Sequence, residues 1–268
     1  MSWLETIILG LVEGITEFLP ISSTGHLILT QSLLGLHGAA VERQIIIIQG
    51  AAILAVLWEF RKKLLHTALT LHNDAVSRRF VVNLFIVSVP LAVLGLLFEH
   101  QIKAVLFNPV SVAIALVVGG VIILWAEKRK HVERVQSVDE LTALEAVKLG
   151  LFQALALIPG TSRSGATIIG GLLCGLSRST AAEFSFFAAL PVLLAATALE
   201  IWKARADFAT AEIETLAVSC LVSFISALLA TKFLLRVVRR HSFAGFAWYR
   251  IVFGAVILIT AYTGVVHW

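Results

Sequence analysis

The chain has 268 residues, of which 59% are hydrophobic and only 14% are charged, and its mean hydropathy is +0.93. Soluble domains carry about 25% charged residues, so this composition excludes an ordinary soluble globular protein. The apolar residues form runs long enough to cross a bilayer, which predicts a polytopic membrane protein. The formal net charge of +4 is no argument for nucleic-acid binding, because in a membrane protein the placement of basic residues matters more than their sum.

Apolar segments follow one another along the whole chain, and two of them are interrupted by polar residues. The first broken segment, 3–34, precedes three clean candidate spans at 45–60, 80–98 and 110–126. After a charged loop, the second broken segment, 149–176, precedes three more spans at 183–201, 214–235 and 248–267. No loop is long enough for a soluble domain, so we expect one integral membrane domain over 1–268.

The order of one broken segment and three spans occurs twice, which predicts an internal duplication. The first repeat covers about 1–126 and the second about 148–268. Leu9-Gly10-Leu11 aligns with Leu149-Gly150-Leu151, and with a one-residue gap Ser23 falls opposite Ser162. Duplications of this kind are common among membrane transport folds.

Basic residues are concentrated in three loops, at 61–79, 128–148 and 236–240. These loops share the cytoplasmic side only if both broken segments are re-entrant helical hairpins. Three spans per repeat is an odd number, so the second repeat is inverted and the hairpin tips meet near the midplane. We therefore expect an all-α polytopic protein with six transmembrane helices, two re-entrant hairpins and both termini on the non-cytoplasmic side.

Glu13 and Glu17 are four residues apart and share one face of a helix inside the first broken segment. Two carboxylates there repel each other and are costly to desolvate. Three outcomes are open: one raised carboxyl pKa, a bound cation, or a nearby arginine. Both glutamates are candidate catalytic residues and candidate ligands of Mg²⁺ or Ca²⁺.

The string Ser22-Ser23-Thr24-Gly25-His26 follows the break at Pro20. Any one of its hydroxyls could simply cap the next helix. Beside two carboxylates, however, a serine and a histidine three residues later offer a nucleophile and a proton carrier. We expect Ser23 as nucleophile and His26 as its proton acceptor, with Ser22 and Thr24 binding substrate.

The second broken segment contains Pro159-Gly160-Thr161-Ser162-Arg163-Ser164-Gly165-Ala166-Thr167. A turn rich in glycine and serine before a helix presents backbone N–H groups to an anion, and Arg163 adds a fork that matches phosphate oxygens. Arginine at membrane depth is usually functional. We expect Arg163 to be catalytic, and Gly160, Ser162, Ser164 and Thr167 to bind substrate. Tyr249-Arg250, at the start of the last span, fits an interfacial anchor and a rim contact equally well.

The string from Glu13 to His26 resembles the first signature of the undecaprenyl-pyrophosphate phosphatases, the bacitracin-resistance protein family, and Pro159–Thr167 resembles the second. The resemblance implies a membrane hydrolase that converts undecaprenyl diphosphate to undecaprenyl phosphate, the lipid carrier of peptidoglycan synthesis. It also implies bacitracin resistance, a place in the bacterial cytoplasmic membrane and an active site that opens to the periplasm. Expected partners are the polyprenyl lipid and membrane lipids, with no nucleic acid; a homodimer stays open.

Three questions remain open at this stage. Inverted repeats with broken helices also suit a transporter or flippase of an anionic lipid, and fold alone does not separate the two classes. Water activated by a glutamate could replace Ser23 as the nucleophile. Two ionised glutamates would repel a diphosphate, so either a divalent cation lies between them or one of them is protonated.

Overall fold

The computed structural model describes residues 1–129, 132–205 and 210–264, and within these ranges the chain is helical and contains no β-strand. This confirms the all-α prediction. The α-helices are α1 (Trp3–Thr16), α2 (Ser23–Leu34), α3 (Ala39–Glu59), α4 (Arg61–Thr70), α5 (Ala75–Leu106), α6 (Pro109–Lys128), α7 (Ala143–Ala154), α8 (Arg163–Leu173), α9 (Arg178–Ala204), α10 (Thr210–Val238) and α11 (Ala244–Thr263). Short 3₁₀ turns cover Val138–Glu140 and Leu155–Leu157.

Six helices of the described chain are long and apolar enough to cross a membrane: α3, α5, α6, α9, α10 and α11. They coincide with the six predicted spans, so the prediction of a multi-pass membrane protein is confirmed. The helices run past the predicted ends; α5, for example, extends from Ala75 to Leu106. The last residues of the predicted span 248–267 lie outside the described residues.

The two broken segments each form a pair of short helices. In the first pair, α1 has 14 residues and α2 has 12; in the second, α7 has 12 and α8 has 11. At 1.5 Å per residue these helices are about 16–21 Å long, well short of a hydrocarbon core about 30 Å thick. Capping boxes fix the start of α1 at Ser2 and of α7 at Thr142.

The first basic loop, by contrast, contains a helix that the sequence pattern did not indicate. Residues Arg61–Thr70 form α4, where the sequence suggested only a connection between spans. Its Lys63 donates to both carboxylate oxygens of Asp139, each at 2.7 Å, and Arg79 donates to the Asp139 carbonyl. These contacts tie the loop after α3 to the segment that precedes α7.

Each short helix pair packs against a long helix from the other half of the chain. Helix α1 lies along α10, and α7 lies along α5, while α6 and α11 pack together and α3 contacts α9 and α10. The α1–α10 contact is close, since a Cβ on Gly14 would lie 2.4 Å from the Ser223 carbonyl oxygen. The largest buried cluster is rich in phenylalanine and includes Phe18, Phe80, Phe184, Phe186 and Phe187. This packing brings the turn after α1 to the turn before α8.

Candidate active site

The turns inside the two helix pairs share an unusual backbone conformation. Ser22 (φ 72°, ψ 96°) and Ser162 (φ 69°, ψ 115°) are the non-glycine residues with positive φ in the described chain. Each is the N-cap of the helix that follows: Ser22 Oγ accepts from the Gly25 N–H, and Ser162 Oγ accepts from the Gly165 N–H. Positive φ at a serine is strained and is typical of functional sites.

The shared conformation also fixes which residues of the two turns match. Ser22 matches Ser162, so Ser23 matches Arg163. The same offset aligns Leu9-Gly10-Leu11 with Leu149-Gly150-Leu151. The one-residue gap that placed Ser23 opposite Ser162 is therefore wrong, and an ungapped alignment fits both segments.

Glu17, Ser23 and Arg163 form one hydrogen-bonded group across the two turns. Ser23 Oγ donates to Glu17 Oε2 at 2.6 Å, and Arg163 Nη2 donates to Glu17 Oε1 at 3.1 Å. The side chains of Arg163 and Glu17 are 9% and 6% exposed. A charge-assisted O–H···O⁻ bond this short leaves the serine oxygen poised to lose its proton to Glu17.

Arg163 is held by contacts on two elements. Nη1 donates to the Ser185 carbonyl of α9 at 3.0 Å, in addition to the Nη2 bond to Glu17. Thr167 Oγ1 donates to Ser185 Oγ at 2.7 Å, and Ser164 Oγ donates to the Leu19 carbonyl at 2.9 Å. Thr167 thus links the start of α8 to α9, and Ser164 links it to the turn after α1. Arg163 Nε is buried and has no hydrogen-bond partner in the described chain.

Glu13 lies one turn before Glu17 and is fully buried. Neither of its carboxylate oxygens has a hydrogen-bond partner, while both oxygens of Glu17 are occupied. The described residues contain no cluster of three acidic, histidine or cysteine side chains that could hold a metal. Within the described chain Glu13 is the carboxylate with unpaired oxygens, so it is the residue that would hold a divalent cation if one binds, although its side chain lies outside the lining of the cavity between the two turns.

His26 does not contact Ser23 through either ring nitrogen. Nδ1 lies 2.7 Å from the Ser22 carbonyl oxygen and Nε2 lies 2.7 Å from the Tyr249 hydroxyl. A carbonyl only accepts, so Nδ1 carries the hydrogen, and in the neutral ring Nε2 accepts from Tyr249. The ring also stacks on Phe253, with centroids 4.0 Å apart. His26 is therefore placed to hold the Ser22 turn rather than to take the Ser23 proton.

A cavity of about 150 Å³ lies between the two turns. Most of the predicted site residues line it, namely Glu17, Ser22, Ser23, Thr24, Gly160, Ser162 and Arg163. Glu13, His26, Ser164 and Thr167 lie outside this lining. Gln49 of α3 lines the cavity but was not predicted as a site residue, because an amide within an apolar span carries no distinctive signal.

Arg250 is the second residue whose position the sequence did not reveal. Arg250 is 0% exposed, so neither an interfacial anchor nor a rim contact describes it, whereas Tyr249 is 45% exposed and its hydroxyl bonds His26 Nε2. Its guanidinium donates to five backbone carbonyls, two on α6 and three on the turns: Ala115, Leu116, Pro20, Gly160 and Thr161. One arginine thus ties both turns to α6.

Comparison with known proteins identifies close relatives along the full chain. The family model described as bacitracin resistance protein BacA matches residues 6–256. The chain is 52% identical to the undecaprenyl-diphosphatase of Dechloromonas aromatica, covering 99% of this chain and 97% of that protein. It is 54% identical to the undecaprenyl-diphosphatase of Nitrosospira multiformis, covering 100% and 99%, and 55% identical to undecaprenyl-diphosphatase 1 of Chromobacterium violaceum, covering 98% of each.

Proposed function

The chain belongs to the BacA family of bacitracin resistance proteins, and we propose that it hydrolyses undecaprenyl diphosphate to undecaprenyl phosphate and orthophosphate. The product is the lipid carrier of peptidoglycan synthesis, and removal of the diphosphate confers resistance to bacitracin. The observation that carries the proposal is the Glu17 carboxylate that bonds both Ser23 and Arg163 in a cavity between two turns. The relatives' names do not favour the transporter alternative.

In the first step, Ser23 Oγ attacks the terminal phosphorus while Glu17 takes its proton. The bond from that phosphorus to the bridging oxygen breaks, and the bridging oxygen leaves with the electron pair as undecaprenyl phosphate, which then receives the proton from Glu17. The 2.6 Å bond between Ser23 and Glu17 supports this assignment. Glu17, rather than His26, is the base, because both His26 ring nitrogens have other partners.

The second step regenerates the enzyme. Water attacks the phosphoserine, Glu17 accepts a proton from that water, and Ser23 Oγ leaves with the proton as orthophosphate is released. The Glu17 carboxylate serves both steps because it lies next to Ser23 Oγ, the oxygen that bonds to phosphorus in the first step and leaves it in the second. In the rival mechanism Glu17 activates water directly and Ser23 only donates a hydrogen bond.

Arg163 stabilises the charge that spreads over the phosphoryl oxygens during transfer. Its guanidinium is positioned by the Ser185 carbonyl and Glu17, and Arg163 lines the cavity between the two turns. Ser22, Thr24, Gly160 and Ser162 line the same cavity and supply further hydrogen-bonding groups for the phosphates. We assign Ser164 and Thr167 a bracing role, since their hydroxyls donate to protein atoms.

Glu13 would hold a divalent cation if the reaction uses one. Its two oxygens are buried and have no hydrogen-bond partner, so they are available to a hard cation, and a protonated Glu13 carboxyl is the alternative. Such a cation, Mg²⁺ or Ca²⁺, would neutralise part of the diphosphate charge beside the carboxylates. His26 acts as a positioning residue: its bond to the Ser22 carbonyl holds the strained turn that presents Ser23.

Helix length and packing support our proposal for the membrane arrangement. Both helix pairs are too short to cross as single helices, each packs against the opposite half, and their turns share one conformation. These features favour two re-entrant hairpins in inverted repeats. With the basic loops on the cytoplasmic side of the bacterial inner membrane, the cavity would open to the periplasm.

Single-turnover chemistry tests the mechanism. Purified protein mixed with undecaprenyl diphosphate and quenched in acid should carry a phosphoryl group on the peptide that contains Ser23, and orthophosphate should be released on longer incubation. Ser23→Ala should abolish both signals, whereas Ser111→Ala, on α6 outside the cavity, should change neither. Phosphate release that persists in Ser23→Ala would assign the attack to water. Absence of phosphate release by the unmodified protein would overturn the proposed function itself.

A further inference from the structure

A basic recess of about 450 Å³ lies at the ends of α3 and α10, away from the catalytic cavity. From Gln49, which lines the cavity, to Glu59, which lines the recess, α3 rises about 15 Å at 1.5 Å per residue. The mechanism proposed above uses none of the residues of the recess. Its lining consists of one apolar and five charged side chains: Leu235, Glu59, Lys232, Arg236, Arg239 and Arg240.

The recess forms where α10 projects beyond the end of α3. Helix α3 ends at Glu59, whose carboxylate lies 3.7 Å from Lys232 Nζ on α10. Beyond Lys232, α10 continues for about 9 Å before it ends. Arg236 lies one turn after Lys232 on the same face, and Arg239 and Arg240 follow the last turn directly. The four cations therefore surround the projecting end of one helix.

The positive charge of the recess exceeds the negative charge that the protein places beside it. Glu59 contacts Lys232, and Glu183 of α9 lies close enough to Arg239 to interact with it electrostatically. The end of α10 adds a partial negative charge of about half a unit. Against four cations, these groups leave at least one positive charge without a counterpart in the described chain.

The arginines of the recess also differ from basic residues of the other two loops. Lys63 of the first basic loop donates to Asp139, and Arg134 of the second donates to the Cys174 carbonyl. A general preference for basic residues on the cytoplasmic side explains their presence, but not their convergence on one recess. Within the part of the chain that the structure describes, three side chains of the recess donate no hydrogen bond: those of Arg236, Arg239 and Arg240.

The recess lies at the depth where lipid headgroups are expected. Helices α3 and α10 are both membrane spans, and the recess is formed by the ends of both. On α10, the exposed apolar side chains of Ile225 and Leu229 precede Lys232 on the same face, at spacings of four and three residues. An apolar face that ends in cations matches a phospholipid, whose acyl chains lie in the hydrocarbon and whose phosphate lies at the interface.

We propose that this recess binds the headgroup of an anionic phospholipid, with its phosphate among the arginines and its acyl chains along the exposed face of α10. The guanidinium fork matches phosphate oxygens, and basic pockets between transmembrane helices recognise lipid headgroups in this way. The inference does not depend on the phosphatase reaction. It uses the proposed membrane arrangement only to assign the lipid to the cytoplasmic leaflet.

Lipid retention tests the proposal. Unmodified protein in detergent should retain one added phosphatidylglycerol molecule in native mass spectra and should melt at a higher temperature with it, whereas phosphatidylcholine should do neither. The triple variant Arg236→Gln/Arg239→Gln/Arg240→Gln should raise the Kd for phosphatidylglycerol on the order of tenfold or more. Each basic residue near an anionic headgroup contributes about fivefold to affinity, so loss of three has at least that effect.

The matched control removes the same charge from exposed positions outside the recess, in the variant Lys62→Gln/Lys128→Gln/Lys148→Gln. It should bind phosphatidylglycerol as the unmodified protein does. With phosphatidylcholine as the only phospholipid, both triple variants should release phosphate from undecaprenyl diphosphate at the unmodified rate. A failure of the proposed function would appear in the unmodified protein itself and is thus distinguished from a failure of the lipid site.

Three results would overturn the inference. Equal loss of phosphatidylglycerol in the two triple variants would show that net charge alone matters. Displacement of the lipid by an equal concentration of inorganic phosphate would identify a site for free phosphate instead. A measurement without variants covers the case in which the arginine variant does not fold: phosphatidylglycerol with a photoreactive headgroup should label the unmodified protein between Lys232 and Arg240, and labelling confined to other segments is the third contrary result.

Discussion

At the scale of single residues, Arg163 offers the sharpest test of the site. Lysine at this position keeps the positive charge but has a single nitrogen, which cannot reproduce the planar fork that binds the Ser185 carbonyl through Nη1 and Glu17 through Nη2. We expect Arg163→Lys to lower kcat on the order of a hundredfold or more, since loss of one aligned donor to a developing negative charge has an effect of that size. The rate of phosphate release from undecaprenyl diphosphate measures this loss of kcat.

Arg178→Lys provides the matched control for this substitution. Arg178 binds Glu127 through two nitrogens, at 2.6–3.2 Å, but lies at the start of α9 and does not line the catalytic cavity. Its replacement should leave kcat near normal. Near-normal turnover in Arg163→Lys would show that Arg163 supports the fold without stabilising the transferred phosphoryl group.

Experiments on Glu13 test whether a divalent cation takes part in the reaction. If Mg²⁺ binds there, a chelator should lower activity on the order of tenfold or more, and added Mg²⁺ should restore it. Glu13→Gln should be weakly active and insensitive to both treatments, because its amide is a poorer ligand for a hard cation. Activity of the unmodified protein that ignores the chelator would exclude the cation. A metal response that survives in Glu13→Gln would place the ion elsewhere.

The sequence predicted which residues belong to the site better than it predicted which of them bond to one another. Two carboxylates and a serine cluster within one segment identify Glu17 and Ser23, but the bond from Arg163 to Glu17 joins residues 146 positions apart. Such a contact depends on how the two turns meet, which local pattern does not specify. The orientation of His26 depends likewise on Tyr249 of the last helix.

At the scale of structural elements, Arg250 is expected to position the two turns. Its bonds to the Pro20, Gly160 and Thr161 carbonyls satisfy buried acceptors of the turns that, unlike the Ala115 and Leu116 carbonyls inside α6, have no helical N–H donor. Each unpaired buried acceptor costs about 1–3 kcal/mol. Arg250→Gln should therefore lower thermal stability, and it should lower kcat more than it raises KM, because misplaced turns separate Ser23 from Arg163.

A milder perturbation separates positioning from folding. A Cβ on Gly119 would lie 2.1 Å from Arg250 Nη2, so Gly119→Ala displaces the guanidinium without removing it. We expect reduced kcat in a folded protein, measured by phosphate release together with a melting curve. Gly245→Ala, whose Cβ would meet nothing within 4 Å, should behave like the unmodified protein. Equal kcat in the two alanine variants would contradict the positioning role.

The elements themselves were predictable to different degrees. The six long helices follow from apolar runs, since the hydrocarbon core demands them. Helix α4 was missed because its charged residues resemble a loop, whereas its order depends on contacts such as Lys63 with Asp139. Arg250 begins an apolar span, where an arginine ordinarily extends to the interface; its burial results from carbonyls that distant elements supply.

At the scale of the whole molecule, the prediction concerns topology. With inverted repeats, Thr70, in the first basic loop, and Arg205, after α9, should lie on opposite sides of the membrane. Single cysteines at these positions should therefore react with a membrane-impermeant thiol reagent from opposite sides of intact cells. We expect Arg205→Cys to be labelled from outside and Thr70→Cys only after the membrane is permeabilised.

The background for this experiment must lack the natural thiols, so Cys174 and Cys220 are first replaced by alanine. Retention of phosphatase activity in that background shows that the fold is preserved. Labelling of both cysteines from the same side would contradict the inverted arrangement. It would also require the charge pattern of the three basic loops to be explained in another way.

The position of Arg250 has a consequence for the order in which the protein is made. A ribosome delivers the chain from its N-terminus, so the turns around Pro20 and Gly160 enter the membrane long before α11 is synthesised. Until the last span inserts, the carbonyls that Arg250 pairs lack this donor. If Arg250 positions the turns as predicted, we expect a partly translated chain without α11 to be inactive towards the lipid substrate.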